Sequence, residues 1–340
     1  MKRILIFGLC LALLLSGCSL SQPRLAKYSA TFLTLFDTVT TVVGFAESEE
    51  AFTAQAQQIH DALLEYHQLF DIYNTYEGLN NLKTLNDAAG KAPVTVDGRI
   101  IALLKDCKTY YSLTGGRTNA AMGSVLALWH EARSDGIDDP MNACLPDAQA
   151  LLDAGEHRDM DAIVIDEAAS TVYLSDPDMR LDVGAIAKGW ALERVCENAP
   201  EGLLISVGGN IRATGPKDSK GTPWVIGVQN PEDSSQNLHT LNVTLGSVVT
   251  SGDYQRRYWV GETPYHHIID PDTLYPGTLW RAVTVVCLDS GLADALSTAL
   301  FLLPLEEGLA LLASCNAEAM WVDPEGVCHY SPGFEAMIRT

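Results

Sequence analysis

No two of the chain's cysteines stand in a CxxC pair, so the ligand spacing of a structural zinc site is missing. Beyond Cys10 and Cys18 there are Cys107, Cys144, Cys196, Cys287, Cys315 and Cys328, mostly in apolar or helical surroundings. They read as small core residues, not as a disulfide framework. Basic residues are scarce: 22 Lys and Arg face 43 Asp and Glu, a formal charge of −21. A surface so acidic repels nucleic acid and anionic lipid, which excludes both as partners. Neither GxGxxG nor GxxxxGK[ST] occurs, so both standard nucleotide fingerprints fail, and the lack of GxSxG removes the serine-hydrolase elbow. Repeats, low-complexity tracts and interior linkers are also missing, so one domain over residues 30–340 is expected.

What is present begins with MKRILIFGLCLALLLSGC. Lys2 and Arg3 form a basic start, Ile4 to Leu15 an apolar run too short for a comfortable membrane span, and Leu15-Ser16-Gly17-Cys18 closes it. Residues 1–17 read as a signal peptide. The last four residues resemble a bacterial lipobox, in which Cys18 is lipidated; the other reading is a plain cleaved signal with an incidental cysteine. Residues 18–29 would then tether the domain to the extracytoplasmic face of the cell membrane. Removing residues 1–17 takes away Lys2 and Arg3 and no acid, leaving −23. An anionic ligand would need local cations here, an indirect argument for a metal.

The chain is organised around Val283 to Leu302, where a β-branched run turns at Asp289-Ser290-Gly291 into an apolar helix. Asp294 and Thr298 lie four apart in that helix, on one face. Either Asp294 sits in the first turn for the helix dipole and Thr298 bonds back to the backbone, or the two offer hard oxygens to one Mg²⁺. Phe32–Phe45 predicts a strand or hairpin, Glu49–Phe70 and Asp97–Thr114 predict helices, and 134–150 a surface excursion. Tyr73 and Tyr76 in a polar loop are hydrophobic plugs or a face for a flat ligand. After Gly115-Gly116, the run Arg117-Thr118-Asn119 lets backbone approach a ligand, or simply caps. Asp182 and Lys188 flank Gly184-Ala185 at a strand-to-helix turn, where a helix N-terminus could meet an anion; Lys188 could equally be solvated. Ser247 to Tyr254 closes on a polar turn. His266 and His267 on one strand point opposite ways, so at most one faces a site.

Four segments, LDVGAIAKGW (181–190), ISVGGNIRATG (205–215), VTSGDYQRRYWVGETPYHHIIDPDT (249–273) and VVCLDSGLADALSTALFLL (285–303), resemble the FAD:protein FMN transferases. These are the ApbE-type flavin transferases, also called thiamine-biosynthesis lipoproteins. The likeness runs from about Phe32 to the C-terminus. It implies an enzyme that uses FAD and Mg²⁺, moves FMN onto a Thr or Ser hydroxyl of a target flavoprotein, and releases AMP. Subunits of sodium- or proton-translocating redox complexes are the kind of target implied. By the same resemblance, Asp294, Thr298 and the Ala185 carbonyl are metal ligands. Asp182, Lys188, Arg117, Thr118, Asn119, Tyr73, Phe36 and Ile268 contact the flavin nucleotide, and Thr250 to Asp253 shape the wall. His267 is the candidate base for the hydroxyl.

The chain departs from the family pattern at Asn119 and Asn210, where Asp is frequent, at Leu274 for a glycine, and at Phe36-Asp37-Thr38 for Met-Gly-Thr. Losing two acids bears on FAD affinity and metal number. Two other readings are a Mg²⁺-dependent FAD pyrophosphatase, in which water replaces the protein hydroxyl, and a non-catalytic flavin-binding lipoprotein. The expected architecture is α/β (α+β), a mixed, largely antiparallel sheet with flanking helices and two lobes around an FAD cleft.

Overall fold

A computed structural model describes residues 25–339. The expected signal peptide over residues 1–17, Cys18 and most of the expected tether lie outside the described residues. The fold is built on one eight-stranded sheet: β1 (Ala26–Leu35), β2 (Thr38–Ala46), β3 (Leu204–Val207), β4 (Asn210–Ala213), β5 (Gly246–Gly252), β6 (Ala282–Cys287), β7 (Glu318–Val322) and β8 (Cys328–Tyr330). The strands lie side by side in chain order and every neighbouring pair is antiparallel. The helices are α1 (Glu49–Phe70), α2 (Leu82–Asp87), α3 (Gly98–Leu113), α4 (Gly123–Asp138), α5 (Ala148–Gly155), α6 (Ala187–Cys196), α7 (Ser290–Phe301) and α8 (Leu305–Leu312). The first six sit in the long excursion between β2 and β3.

Alternation along the strands decides what covers each face. Val283, Val285 and Cys287 of β6 pack on Leu296, Leu300 and Phe301 of α7, whereas Ala282 and Val286 face Trp224, Ile226 and Leu241. Those last three belong to a hairpin, Trp224–Gln229 with Asn237–Val243, that covers the second face. β6 is buried on both sides along its whole length, which is why it reads as an apolar run interrupted only by Thr284. α7 starts where Asp289 accepts a hydrogen bond from the Leu292 N–H at 2.8 Å, and is buried nearly all round. A smaller cluster of Met122, Trp129, Leu151, Tyr258, Ile269 and Leu274 forms a separate lobe. The cleft lies between that lobe and the end of the sheet that carries the β1–β2 turn, the β3–β4 turn and the close of β5.

The expected α/β class with a largely antiparallel sheet and flanking helices holds, and in the eight-stranded sheet every neighbouring pair is antiparallel. The structure corrects several local expectations. β1 begins at Ala26, so residues 26–29 are sheet and not tether. Residues 134–138 are the last turn of α4, and Ala148 opens α5, which shortens the excursion. Ser247 to Gly252 lies in an interior strand: Thr250 meets its register partner Thr284 at 2.9 Å, and Ser251 meets Ser297 of α7 at 2.8 Å. Leu181–Val183 is not a strand; it is pinned from both sides, by Asn86 at Leu181 and by the Ala120 carbonyl at Asp182. The strand before the histidines stops at Tyr265, so their side chains escape strand alternation. Of the six described cysteines, Cys107, Cys196 and Cys287 are buried and Cys144 is exposed; all six are free.

Candidate active site

α6 and α7 touch backbone to backbone. A Cβ on Gly189 would lie 2.2 Å from the Ser290 carbonyl oxygen and 2.6 Å from Asp294 Cβ, so only glycine permits the contact. The Gly189 N–H donates to Asp294 Oδ2 at 2.9 Å. Asp294 is 4% exposed and lies in the second turn of α7, beyond the reach of a first-turn dipole explanation. Burial raises its pKa above the usual carboxylate range, against the pull of Lys188, the Gly189 N–H and Asn210. Lys188 Nζ stands 4.0 Å from Asp294 Oδ2 and donates to the Gly184 carbonyl at 3.0 Å. The back-bond to the helix is made by Ser297, whose hydroxyl donates to the Asp294 carbonyl at 2.9 Å. Thr298 instead lines the cleft, with Asp294, Ala185 and Asn210. Asn210 is 2% exposed; its amide pulls on Asp294 without meeting hydrogen-bond geometry, so its Nδ2 is left without a partner.

These residues fit a hard divalent cation. A buried carboxylate short of positive charge, a hydroxyl one turn along the same face, and the carbonyl-bearing Ala185 turn share one cleft wall. The unpaired Asn210 amide suits a donor to a phosphate oxygen better than a metal ligand.

The remaining expected residues divide by what already occupies their polar groups. Arg117 lines the cleft but is shared between Asp270 at 2.9 Å and Asp272 at 2.7 Å. The Thr118 hydroxyl donates to the Ala295 carbonyl at 2.8 Å, tying this segment to α7. Asn119 lines the cleft, accepting from the Ala121 N–H at 2.7 Å and donating to the Arg158 carbonyl at 3.0 Å, so it braces its own loop and caps no helix. Asp182 Oδ1 accepts from the Gly184 N–H at 2.8 Å, and enclosure by the cleft walls raises its pKa. Ile268 is buried in the wall. Tyr73 is half exposed and leans on His130, ring centroids 5.3 Å apart, so it offers a face and is no plug. Its phenol is pushed up to about 12 by burial and by Asp182. Tyr76 instead bonds Asp71 at 2.8 Å and helps close its own loop.

Phe36 does not reach the cleft wall. It sits in the β1–β2 turn at φ 53°, where its N–H donates to His67 Nδ1 at 3.2 Å and its ring meets that imidazole edge-on; Thr38 lines the cleft instead. Both histidines line the cleft, contrary to the expectation of one. His266 is held between the Ile268 N–H and the Gly277 carbonyl. His267 is walled in by the cleft yet open to solvent; enclosure first, then Arg256, His266, Lys188 and Arg133, lower its pKa to about 3.

Sequence reasoning passed over His130, Arg133 and Arg256, which also line the cleft. Arg133 meets His130 Nδ1 at 3.1 Å, and its pKa is lowered by burial and then by Arg256. Neither arginine has an acidic partner among the ion pairs of the described residues. The available signal was two arginines left over in a chain this acidic.

Comparison with known proteins identifies the family. The profile of the ApbE family matches residues 36–321. A FAD:protein FMN transferase of Treponema pallidum is 33% identical over 307 residues, covering 84% of this chain and 83% of that protein. One from Klebsiella pneumoniae is 32% identical over 266 residues, covering 74% and 79%. The crystal structure of the ApbE protein of Thermotoga maritima superposes with a TM-score of 0.82 at 27% identity, covering 93% of this chain and all of that one. Flavin transferase ApbE from Vibrio cholerae, at 20% identity and a TM-score of 0.75 over 92% of this chain and all of its own, shares the fold. With family profile, relatives and architecture in accord, the chain belongs to the ApbE family.

Proposed function

We propose that this chain is a transferase that moves the FMN half of FAD to a Thr or Ser hydroxyl of a target flavoprotein, releasing AMP, with Mg²⁺ held at Asp294, Thr298 and the Ala185 carbonyl. The observation that carries the reading is Asp294: a buried carboxylate left short of positive charge at the edge of a cleft rich in cations. The names of the relatives supply the substrate and the reaction. Mg²⁺, when bound, supplies Lewis-acid stabilisation of charge on the diphosphate.

The chain's own groups do the rest. Lys188 adds a second positive charge beside Asp294, and the free Asn210 amide donates toward a phosphate oxygen. Arg133 and Arg256 bring unpaired charge to the same cleft, while Tyr73 gives a ring face for a flat group. In the transfer the acceptor oxygen bonds to the FMN phosphorus as the bond to the AMP oxygen breaks. His267, uncharged at neutral pH because its pKa is depressed, takes the hydroxyl proton. An anionic diphosphate offsets the cations that depress it, making the ring a better base as substrate arrives. Lipidation at Cys18, a signal over residues 1–17 and action at the extracytoplasmic membrane face complete the proposal.

The test is mass spectrometry of an acceptor peptide, its Thr flanked by small residues, after incubation with the protein, FAD and Mg²⁺. A gain equal to an FMN phosphoester, lost with EDTA and in Asp294→Ala, is expected. AMP with unmodified peptide supports a pyrophosphatase instead. Bound FAD with neither product overturns the catalytic reading.

A further inference from the structure

A second buried carboxylate crosses the α6–α7 contact one turn from the first. Gly189 and Glu193 are four apart on α6, Ser290 and Asp294 four apart on α7, so each pair shares a face. The Gly189 N–H donates to Asp294 at 2.9 Å, and the Ser290 N–H donates to Glu193 Oε2 at 2.7 Å. Each helix thus gives the other a backbone N–H and takes a carboxylate, at two rungs. Glu193 also receives a fork from Arg212, through Nε to Oε2 and Nη2 to Oε1, both 3.0 Å. Arg212 Nη1 donates to the Ala213 carbonyl at 2.9 Å. Both side chains are about nine-tenths buried.

We infer that Glu193 and Arg212 are positioning residues for the metal-type site, acting through the α6–α7 spacing. The clasp joins three elements, and each carries a cleft residue: Lys188 on α6, Asn210 on β4 two residues before Arg212, and Asp294 on α7. Gly189 has no side chain to act as a spacer, so the hydrogen-bonded rungs set how far Asp294 stands from Lys188. A buried ion pair is a poor way merely to hold two helices together, since apolar residues of similar volume do as well. What the fork adds is direction: it orients Glu193 so that its Oε2 draws in the first residue of α7. A ligand carboxylate misplaced by a fraction of an ångström loses metal affinity, which is how supporting residues make themselves felt.

The inference rests on Asp294 being a metal ligand, and the experiment separates the two. Mn²⁺ binding to the full chain is titrated by electron paramagnetic resonance for wild type, Glu193→Gln and Arg212→Lys, with thermal melting of each. Arg212→Lys keeps the charge and removes the fork, so it is the variant that decides if Glu193→Gln does not fold. The expected result is a cooperative melt with Mn²⁺ affinity weakened about tenfold, and a fall in kcat with little change in KM for FAD. A folded Arg212→Lys that binds Mn²⁺ as wild type does, with only its melting temperature lowered, makes the clasp purely structural and overturns the inference. Wild type that binds no Mn²⁺ removes the metal site itself, and this is read before any variant is compared.

Discussion

Glu193 and Asp294 occupy equivalent places one turn apart at the same helix contact, yet they are answered differently. Glu193 has a backbone N–H at 2.7 Å and a two-pronged arginine at 3.0 Å, so its charge is met entirely from within the protein. Asp294 has a backbone N–H at 2.9 Å, a lysine at 4.0 Å and the pull of the Asn210 amide, and burial still lifts its pKa. The difference separates a carboxylate that holds the fold from one kept ready for a cation. Burial alone marks neither; the unmet charge does.

Breaking the saturated rung should cost the most stability. Glu193→Ala strands Arg212 in the interior and is expected to destabilise by about 3–5 kcal/mol, whereas Glu193→Leu with Arg212→Met recovers much of that; denaturant melts check both. Asp294→Asn at the unsatisfied rung should do the reverse. Activity falls about a hundredfold or more, about 2.7 kcal/mol in the barrier, while the metal-free melting temperature holds or rises because a buried charge is gone. A drop in stability similar to that of Glu193→Ala would erase the distinction. Gly189→Ala forces a methyl into the Ser290 carbonyl and should cost about 1–3 kcal/mol, with activity lost in proportion as the two rungs part.

Lys188, the cation beside Asp294, also crowds His267 together with Arg256, His266 and Arg133, which gives a pH signature. With its pKa lowered from the ordinary 6.5 to about 3, the imidazole is unprotonated over the whole range from pH 5 to 8. The kcat/KM profile, which reports the free enzyme, should show no acid limb near 6.5; a limb there that vanishes in His267→Gln would refute the depressed pKa while keeping His267 as the base. The smallest effect belongs to the turns beside the cleft. The β1–β2 turn has Phe36 and Asp37 at φ 53° and 51°, while the β3–β4 turn meets the same need with Gly208 and Gly209 at 57° and 93°. Asp37→Gly should stabilise by about 0.5–1 kcal/mol on melting, since glycine takes left-handed backbone without strain.

Local pattern carried much of this molecule. The β-branched run of β6, the Asp289 cap and the Asp294–Thr298 spacing on α7 were legible because strand alternation, capping and helical pitch are short-range physics. The departure at Leu274 was legible too: the structure holds it at φ 62°, a backbone state suited to the glycine it replaces. Glu193 was not legible. On an amphipathic helix it reads as a solvated acid, and only the approach of Arg212 and of Ser290, 97 residues away, makes it interior. Phe36 misled for the opposite reason: its motif suggested the cleft, but a left-handed turn aims its ring at His67.

By itself, then, the sequence determined which residue types were at hand and which elements would present them, because those depend on neighbours within a few positions. The tertiary structure decided which of the chain's charges were answered. Arg117 was committed to Asp270 and Asp272, and Arg212 to Glu193, while Lys188, Arg133, Arg256 and the Asn210 amide were left facing the cleft. Pairing depends on distances between atoms far apart in the chain, and the Coulomb energy of a buried group follows those distances and not its place in the sequence.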